Sequence, residues 1–181
     1  RSFLRDQGVG LASVRAGNVI GGGDWADDRL IPDILRSFER NESVVIRNPK
    51  STRPWQHVLE PLSGYIVLAQ EMYNNHKEYA EGWNFGPIEQ DVKPVDWILD
   101  RMISKWPNSR WELDKESNPH EAGFLKLDIT KAESKLGWKP VWRLDYTLEK
   151  IINWHKAWIN KENMQAMCLA EIEEYTNDMK K

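Results

Sequence analysis

A cation, an indole, an amide and an imidazole lie close together in the stretch Arg53-Pro-Trp-Gln-His57, just before a segment with helical periodicity. The guanidinium of Arg53 offers a planar fork of donors that matches two phosphate oxygens at once. Arg47 lies a short distance upstream, so the two arginines could straddle a diphosphate. Two solvated surface arginines are the alternative, but a neighbouring group of tryptophan, glutamine and histidine is costly to expose without a function.

The glycine-rich segment from Gly17 to Asp24 is the second candidate for ligand contact. It follows a predicted strand, and glycine backbone amides can approach a phosphate or a sugar closely. Its spacing is neither that of the dinucleotide fingerprint G-x-G-x-x-G nor that of a P-loop. A wide turn that needs positive φ angles is the other interpretation of this segment.

The histidines are weaker candidates. His57 could donate to a phosphate or to a ribose hydroxyl, and His120, beside Glu121, could do the same or act as an acid or base. A structural histidine is the more common outcome for both. No two histidines have the spacing of metal ligands, so we predict no metal site. We predict that His76 and His155 lie on helix surfaces.

The composition is that of an ordinary globular protein: 181 residues, of which 40% are hydrophobic and 29% charged. A net charge of −3 argues against broad attraction to nucleic acid, and no apolar run predicts a membrane span. The single cysteine, Cys168, fits a reducing environment, so we expect a cytoplasmic protein. Ten tryptophans would suit a pocket for a ring-shaped ligand.

These residues must be positioned by a mixed α/β chain of short strands and several helices. We predict a first strand at 10–15, a loop at 18–24, and a helix to residue 38 that is capped by Asp27 and Asp28. Further helices are predicted to begin at Glu60 and Val95, and Gly137 is predicted to end a short helix that Asp128 caps. Further strands are predicted at 44–46, 80–85 and 111–113, a strand or extended loop at 54–59, and the closing helices at 148–159 and 162–175.

The motifs together resemble the C-terminal half of the CDP-glucose 4,6-dehydratases, a branch of the extended short-chain dehydrogenase/reductase superfamily. The matching segments occur in family order over most of the chain: 15–25, 28–32, 46–49, 53–58, 83–87, 120–122 and 127–138. Related UDP- and dTDP-sugar enzymes typically have Arg-Asp-Trp or Arg-Asp-Tyr at position 53. They often carry Arg-Pro-Gly near 118–121, where this chain places His120 and Glu121.

The resemblance implies an α/β fold: the end of a doubly wound Rossmann-type sheet at 1–25, a small mixed α/β substrate-binding lobe over 26–160, and a C-terminal helix at 161–181. It implies CDP-glucose as the ligand, NAD as the cofactor and a homo-oligomeric full-length enzyme. That enzyme would form CDP-4-keto-6-deoxyglucose, a precursor of dideoxy sugars in bacterial surface polysaccharides. The substrate contacts implied are Asn18, Arg29, Leu30, Ile31, Arg47, Arg53 and His57, with His120 at the corner where relatives carry arginine.

The family's NAD fingerprint and its catalytic Tyr-x-x-x-Lys would precede position 1. The same pattern occurs at 73–77 and 146–150, but without the expected context, and we interpret both as chance matches. We therefore expect a fragment that cannot turn over substrate alone, with neither catalytic nor main NAD-binding residues. The alternatives are a non-catalytic module that binds a nucleotide sugar or another subunit, or part of a UDP- or dTDP-sugar epimerase or dehydratase.

Overall fold

The computed structural model describes residues 8–114 and 123–181, and in them short strands alternate with helices. The strands are β1 Ser13–Ala16, β2 Asn18–Ile20, β3 Ser43–Ile46, β4 Thr52–His57, β5 Gly82–Phe85, β6 Val92–Pro94 and β7 Arg110–Leu113. The helices are α1 Leu30–Glu39, α2 Leu59–Tyr79, α3 Val95–Ser104, α4 Thr130–Leu136, α5 Leu144–Ile159 and α6 Met164–Asp178. Within these ranges, no helix combines the length and apolarity that crossing a bilayer requires.

Strand pairing is mainly parallel, as expected for part of a doubly wound sheet. β1 runs parallel to β5, with Val14 opposite Trp83, and β3 runs parallel to β7. β2 runs parallel to β4, which places Asn18 opposite Trp55, and β6 joins the other edge of β4 in the antiparallel sense. Since parallel neighbours need a long crossover, each pair is connected through at least one helix. The predicted α/β class is confirmed.

Two apolar clusters hold these elements together. The larger one joins α1, β3, α3 and α5, with Ile34, Leu99 and Leu148 fully buried. The smaller one joins α2, β5 and α4, with Phe85 and Trp138 in contact edge to face. The larger cluster lies behind the site described below. The predicted division of the chain at residues 25 and 160 stays a prediction.

A buried polar network fixes α2 to the C-terminal part of the chain. The Glu60 carboxylate, fully buried, accepts hydrogen bonds from the amides of Val141 (3.0 Å) and Trp142 (2.7 Å) and from the Tyr175 hydroxyl (2.7 Å). Burial raises the pKa of Glu60, although these three donors oppose the shift. Because Tyr175 belongs to α6, this network helps to attach the last helix to α2.

Several local predictions were wrong because distant contacts decide them. Asn18 lies in a strand, not in a loop, since β2 gains its ladder from β4 later in the chain. α1 begins at Leu30 without a side-chain cap, and Asp27 instead pairs with Arg36 at 3.5 Å. His155 is 3% exposed, not a surface residue, because α5 packs it against Glu39 of α1.

Candidate functional site

An open cavity of about 760 Å³ lies between the N-terminus of α1 and the strands β2, β3 and β4. This volume falls within the range of about 300–1,000 Å³ that is common for small-molecule sites. Polar and charged residues on its wall include Asn18, Asp24, Asp28, Arg29, Asp33, Arg47, Asn48, Ser51 and Arg53. Apolar wall residues include Val19, Ile20, Leu30, Ile31, Val44, Ile46, Trp55 and Val95.

Each cationic residue reaches the cavity from a different element. Arg29 is the N-cap residue of α1, Arg47 follows the last residue of β3, and Arg53 lies in β4. Arg53 is half-buried and donates to the carbonyl oxygen of Thr52 at 3.0 Å, whereas the other two guanidinium groups are exposed. Three cations from three elements therefore meet at one cavity.

The N-terminus of α1 adds backbone donors beside these arginines, on a wall that also carries Asp24, Asp28 and Asp33. Arg29 makes no side-chain cap, and Pro32 has no amide hydrogen to donate. The first regular bond at this end runs from the Asp33 amide to the Arg29 carbonyl oxygen at 3.0 Å. The amides of Leu30 and Ile31 precede it, at the end of a helix where the dipole and free N–H groups favour anions. Their side chains lie in or against the apolar core, so a ligand would meet their backbone.

The string Arg53-Pro-Trp-Gln-His57 divides between the cavity and the core. Arg53 and Trp55 lie on the cavity wall, and the Trp55 indole donates to the carbonyl oxygen of Lys93 at 2.9 Å. The Gln56 amide is buried and donates to the carbonyl oxygen of Phe85 at 2.9 Å. The functional prediction from this string therefore rests on its first half, while the second half connects β4 to the core.

His57 is not on the cavity wall, which departs from the sequence prediction of a ligand contact. It is 1% exposed, its ring lies 4.9 Å from that of Trp142, and its Nδ1 accepts from the Leu59 amide at 3.3 Å. Burial, with a smaller contribution from the charge of Lys150, lowers the pKa of His57 to about 4. A neutral, buried imidazole of this kind serves packing. The other predicted histidine, His120, lies outside the described residues.

The segment from Gly21 to Arg29, which we call the wall loop, forms one side of the cavity, but its glycines face away from it. A Cβ atom on Gly22 would lie 2.2 Å from the Trp154 ring, and one on Gly21 would lie 2.9 Å from Val58. Gly23 has a positive φ of 77°. The glycines thus allow close approach of protein side chains. The wall loop touches the cavity through Asp24, Ala26, Asp28 and Arg29.

The second Tyr-x-x-x-Lys match is also outside the cavity. The hydroxyl of Tyr146 and the ammonium of Lys150 both contact the carboxylate of Glu174 in α6. Tyr73 of the first match is 91% exposed. Neither pair meets the residues around the cavity, so the structure agrees with the interpretation of both as chance matches.

Among curated proteins, the chain is 62% identical over 169 residues to CDP-glucose 4,6-dehydratase of Salmonella typhimurium. The aligned part covers 93% of this chain and 47% of that enzyme. By sequence, the chain is thus similar to about half of a CDP-glucose 4,6-dehydratase. A more distant relative is UDP-glucuronic acid decarboxylase 2 of Arabidopsis thaliana, 27% identical over 63% of this chain and 24% of that protein. The chain thus spans less than half of each of these proteins, and no protein-family model matches it.

Solved structures of nucleotide-sugar enzymes share the fold at low sequence identity. A UDP-N-acetylglucosamine 4-epimerase of Methanobrevibacter ruminantium superposes with a TM-score of 0.71 at 18% identity, over 86% of this chain and 49% of the epimerase. A dTDP-glucose 4,6-dehydratase of Bacillus anthracis superposes with a TM-score of 0.68 at 14% identity, over 86% of this chain and 47% of the dehydratase. These similarities confirm the Rossmann-type fold.

The cavity brings together most of the predicted site residues: Asn18, Arg29, Leu30, Ile31, Arg47 and Arg53. Sequence reasoning missed the acidic members of its wall, Asp24, Asp28 and Asp33, and the small polar Ser51. Asp24 and Asp28 lie in the wall loop, so their place in or just after the glycine-rich segment was an available signal. No sequence signal pointed to Ser51, because only the pairing of β4 brings this residue to the cavity.

Proposed function

We propose that this cavity binds the nucleoside diphosphate part of CDP-glucose, and that the chain forms the substrate-binding portion of a CDP-glucose 4,6-dehydratase. One observation carries the proposal: Arg29, Arg47, Arg53 and the N-terminus of α1 converge on a single cavity. The 62% identity to the Salmonella enzyme supports the choice of this dehydratase over other nucleotide-sugar enzymes.

The diphosphate would bind between the arginines and the helix. Arg47 and Arg53 each carry a donor fork that fits phosphate oxygens in pairs, and the amides of Leu30 and Ile31 donate at the positive end of α1. Asn18, at the start of β2, would meet the sugar-phosphate region. The three arginines and the positive end of α1 would meet the phosphates of this ligand, while Asp24, Asp28 and Asp33 lie on the same wall.

The nucleoside would lie along β3. Among the described strands β3 pairs only with β7, so the opposite edge of β3 offers backbone N–H and C=O groups beside the cavity. Val44, Val45 and Ile46 contribute to the same wall. Base and ribose can be recognised by backbone groups as well as by side chains. His120 stays a proposed additional contact, and His57 is proposed to support β4 from behind.

NAD would supply hydride acceptance and return in the dehydratase reaction, but the described residues do not fit it. The glycines of the wall loop, which might otherwise cradle a diphosphate, are closely approached by Trp154 and Val58. The sequence has no G-x-G-x-x-G fingerprint. We propose that NAD binds mainly to parts of the enzyme outside this chain, and that this chain alone does not turn over CDP-glucose. A homo-oligomeric, cytoplasmic enzyme is part of the same proposal.

Calorimetric titration of the chain with CDP-glucose tests the proposal, with UDP-glucose and CMP as comparison ligands. We expect CDP-glucose to bind more tightly than either. Arg53→Ala should weaken binding at least about tenfold, because a charge-assisted pair of hydrogen bonds to phosphate is lost. Arg40→Ala, an exposed arginine at the other end of α1, is the matched control and should bind like the unaltered chain. Equal losses in both variants, or tighter binding of UDP-glucose, would contradict the proposal.

A further inference from the structure

We propose that Trp25 is a positioning residue for the diphosphate end of the cavity, an inference that rests on the proposed function. Trp25 lies in the wall loop, between Asp24 and Ala26, both of which are on the cavity wall, but it is not itself part of that wall. Its ring instead contacts α5 on the outside of the loop. Trp25 would therefore act on the ligand only through the position it gives to the loop.

The wall loop has little regular structure to hold it in place. The Ala26 amide donates to the Asp24 carboxylate at 3.0 Å, and Arg36 donates to the carbonyl oxygens of Trp25 (3.1 Å) and Ala26 (3.2 Å). Asp28 has a φ of 57°, in the left-handed region that non-glycine residues rarely adopt.

An aromatic cluster on α5 contacts the middle of the wall loop through Trp25. The ring of Trp25 lies 4.5 Å from that of Trp158, 5.6 Å from that of His155 and 6.2 Å from that of Trp154. Centroid distances between about 4.5 and 7 Å are those at which aromatic pairs attract each other. Trp25 is nevertheless 45% exposed, so its contacts with α5 are not explained by the needs of a buried core.

The cluster in turn contacts the start of the wall loop and the C-terminal end of α1, the two segments that meet at Arg29. Trp154, 7% exposed, lies directly against Gly22 at the start of the wall loop. His155 contacts the Glu39 carboxylate at the C-terminal end of α1, the helix whose N-cap residue is Arg29. α5 therefore holds the start of the loop, its middle and the far end of the following helix. Removing the Trp25 ring would release the middle of the loop, where Asp24 and Ala26 line the cavity.

The first measurement is amide hydrogen exchange across residues 24–29 without ligand. Trp25→Ala should speed exchange there by about tenfold, since three ring contacts are lost, and leave β3 unchanged. Trp25→Phe should restore rates to within about threefold because it keeps an aromatic ring. Trp158→Ala removes the nearest ring without altering the loop sequence and should speed exchange about threefold. The control is Trp97→Ala, on α3 between Lys93 and Arg101, which should not affect the loop.

The second measurement is the affinity of the same variants for CDP-glucose. Trp25→Ala should bind about tenfold more weakly, and Trp25→Phe nearly as well as the unaltered chain. Faster exchange with unchanged affinity would overturn the positioning role, and unchanged exchange in both Trp25→Ala and Trp158→Ala would overturn the proposal altogether. If the unaltered chain does not bind CDP-glucose, the proposed function fails and Trp25 positions no substrate. The exchange rates would then show separately whether Trp25 orders the wall loop. Should Trp25→Ala not fold, Trp158→Ala and Trp25→Phe decide the outcome.

Discussion

Replacing His57 with asparagine should remove most of the acid sensitivity that this residue gives the fold. Burial, and secondarily the charge of Lys150, lowers the pKa of His57 from 6.5 to about 4. The Nδ1 atom of the ring accepts from Leu59, and the buried Nε2 atom has no partner among the described residues. Protonation would therefore place a cation in the core with no acceptor for its new proton.

The folded and unfolded chains bind the His57 proton over different pH ranges, and this difference makes stability depend on pH. Between about pH 4 and pH 6.5 the unfolded chain binds the proton and the folded chain does not, so stability rises with pH there. The stabilisation is complete above the unfolded value of 6.5 and is lost as the pH falls towards about 4. At about 1.4 kcal/mol for each pH unit, the total is about 3 kcal/mol, of which about 2 kcal/mol is lost by about pH 5.

Urea unfolding of the unaltered chain and of His57→Asn, between about pH 5 and pH 7.5, measures this contribution. Asparagine retains an acceptor for the Leu59 amide but not the ring that contacts Trp142, so the variant should be less stable at about pH 7.5. On acidification to about pH 5, its free energy of unfolding should fall by about 2 kcal/mol less than that of the unaltered chain. His76→Asn, at the opposite end of α2, is the control. If the difference between the unaltered chain and His57→Asn did not change with pH, the reasoning would be refuted.

Three further substitutions test other parts of the fold by urea unfolding. Burial raises the pKa of Glu60 above 4.5. The stability that the protonated Glu60 gives the fold is therefore complete below pH 4.5 and is lost as the pH rises through the folded pKa. Glu60→Gln should lose less stability than the unaltered chain as the pH is raised, and an equal loss would contradict this. Gly22→Ala places a methyl group 2.2 Å from the Trp154 ring and should cost about 1–3 kcal/mol through overpacking; an unchanged midpoint would show that Trp154 moves freely. In Gly137→Ala the added methyl group would meet no neighbouring atom, but the φ angle at this position is 64°. The free energy of unfolding should therefore fall by about 1 kcal/mol for conformational reasons alone. A negligible fall would mean that the end of α4 rearranges.

Features decided within a few residues were predictable from the sequence. Gly137 ends α4 in the left-handed conformation, and Asp128 accepts a hydrogen bond from the Thr130 amide at 2.9 Å. The arginines of the cavity were also found, because each lies in a short motif that resembles a known family. These motifs identified Arg47 and Arg53 without any knowledge of how β3 and β4 are arranged.

Features decided by distant contacts were not predictable in the same way. The burial of His57 depends on Trp142, which follows it by more than eighty residues, and that of His155 depends on Glu39. The three glycines at the start of the wall loop resembled a ligand-binding turn. In the structure, however, position 22 has no room for a side chain because Trp154 packs against it. A lone sequence pattern does not show which neighbour a glycine or histidine will meet after folding.

The central claim is that CDP-glucose binds in the cavity between α1 and β2 to β4, and a crystal structure of the chain grown with CDP-glucose tests it most directly. The account predicts diphosphate oxygens within about 3.2 Å of the guanidinium groups of Arg47 and Arg53 and of the first amides of α1, with the nucleoside along β3. A nucleotide bound elsewhere, or a diphosphate that contacts neither arginine, would contradict it.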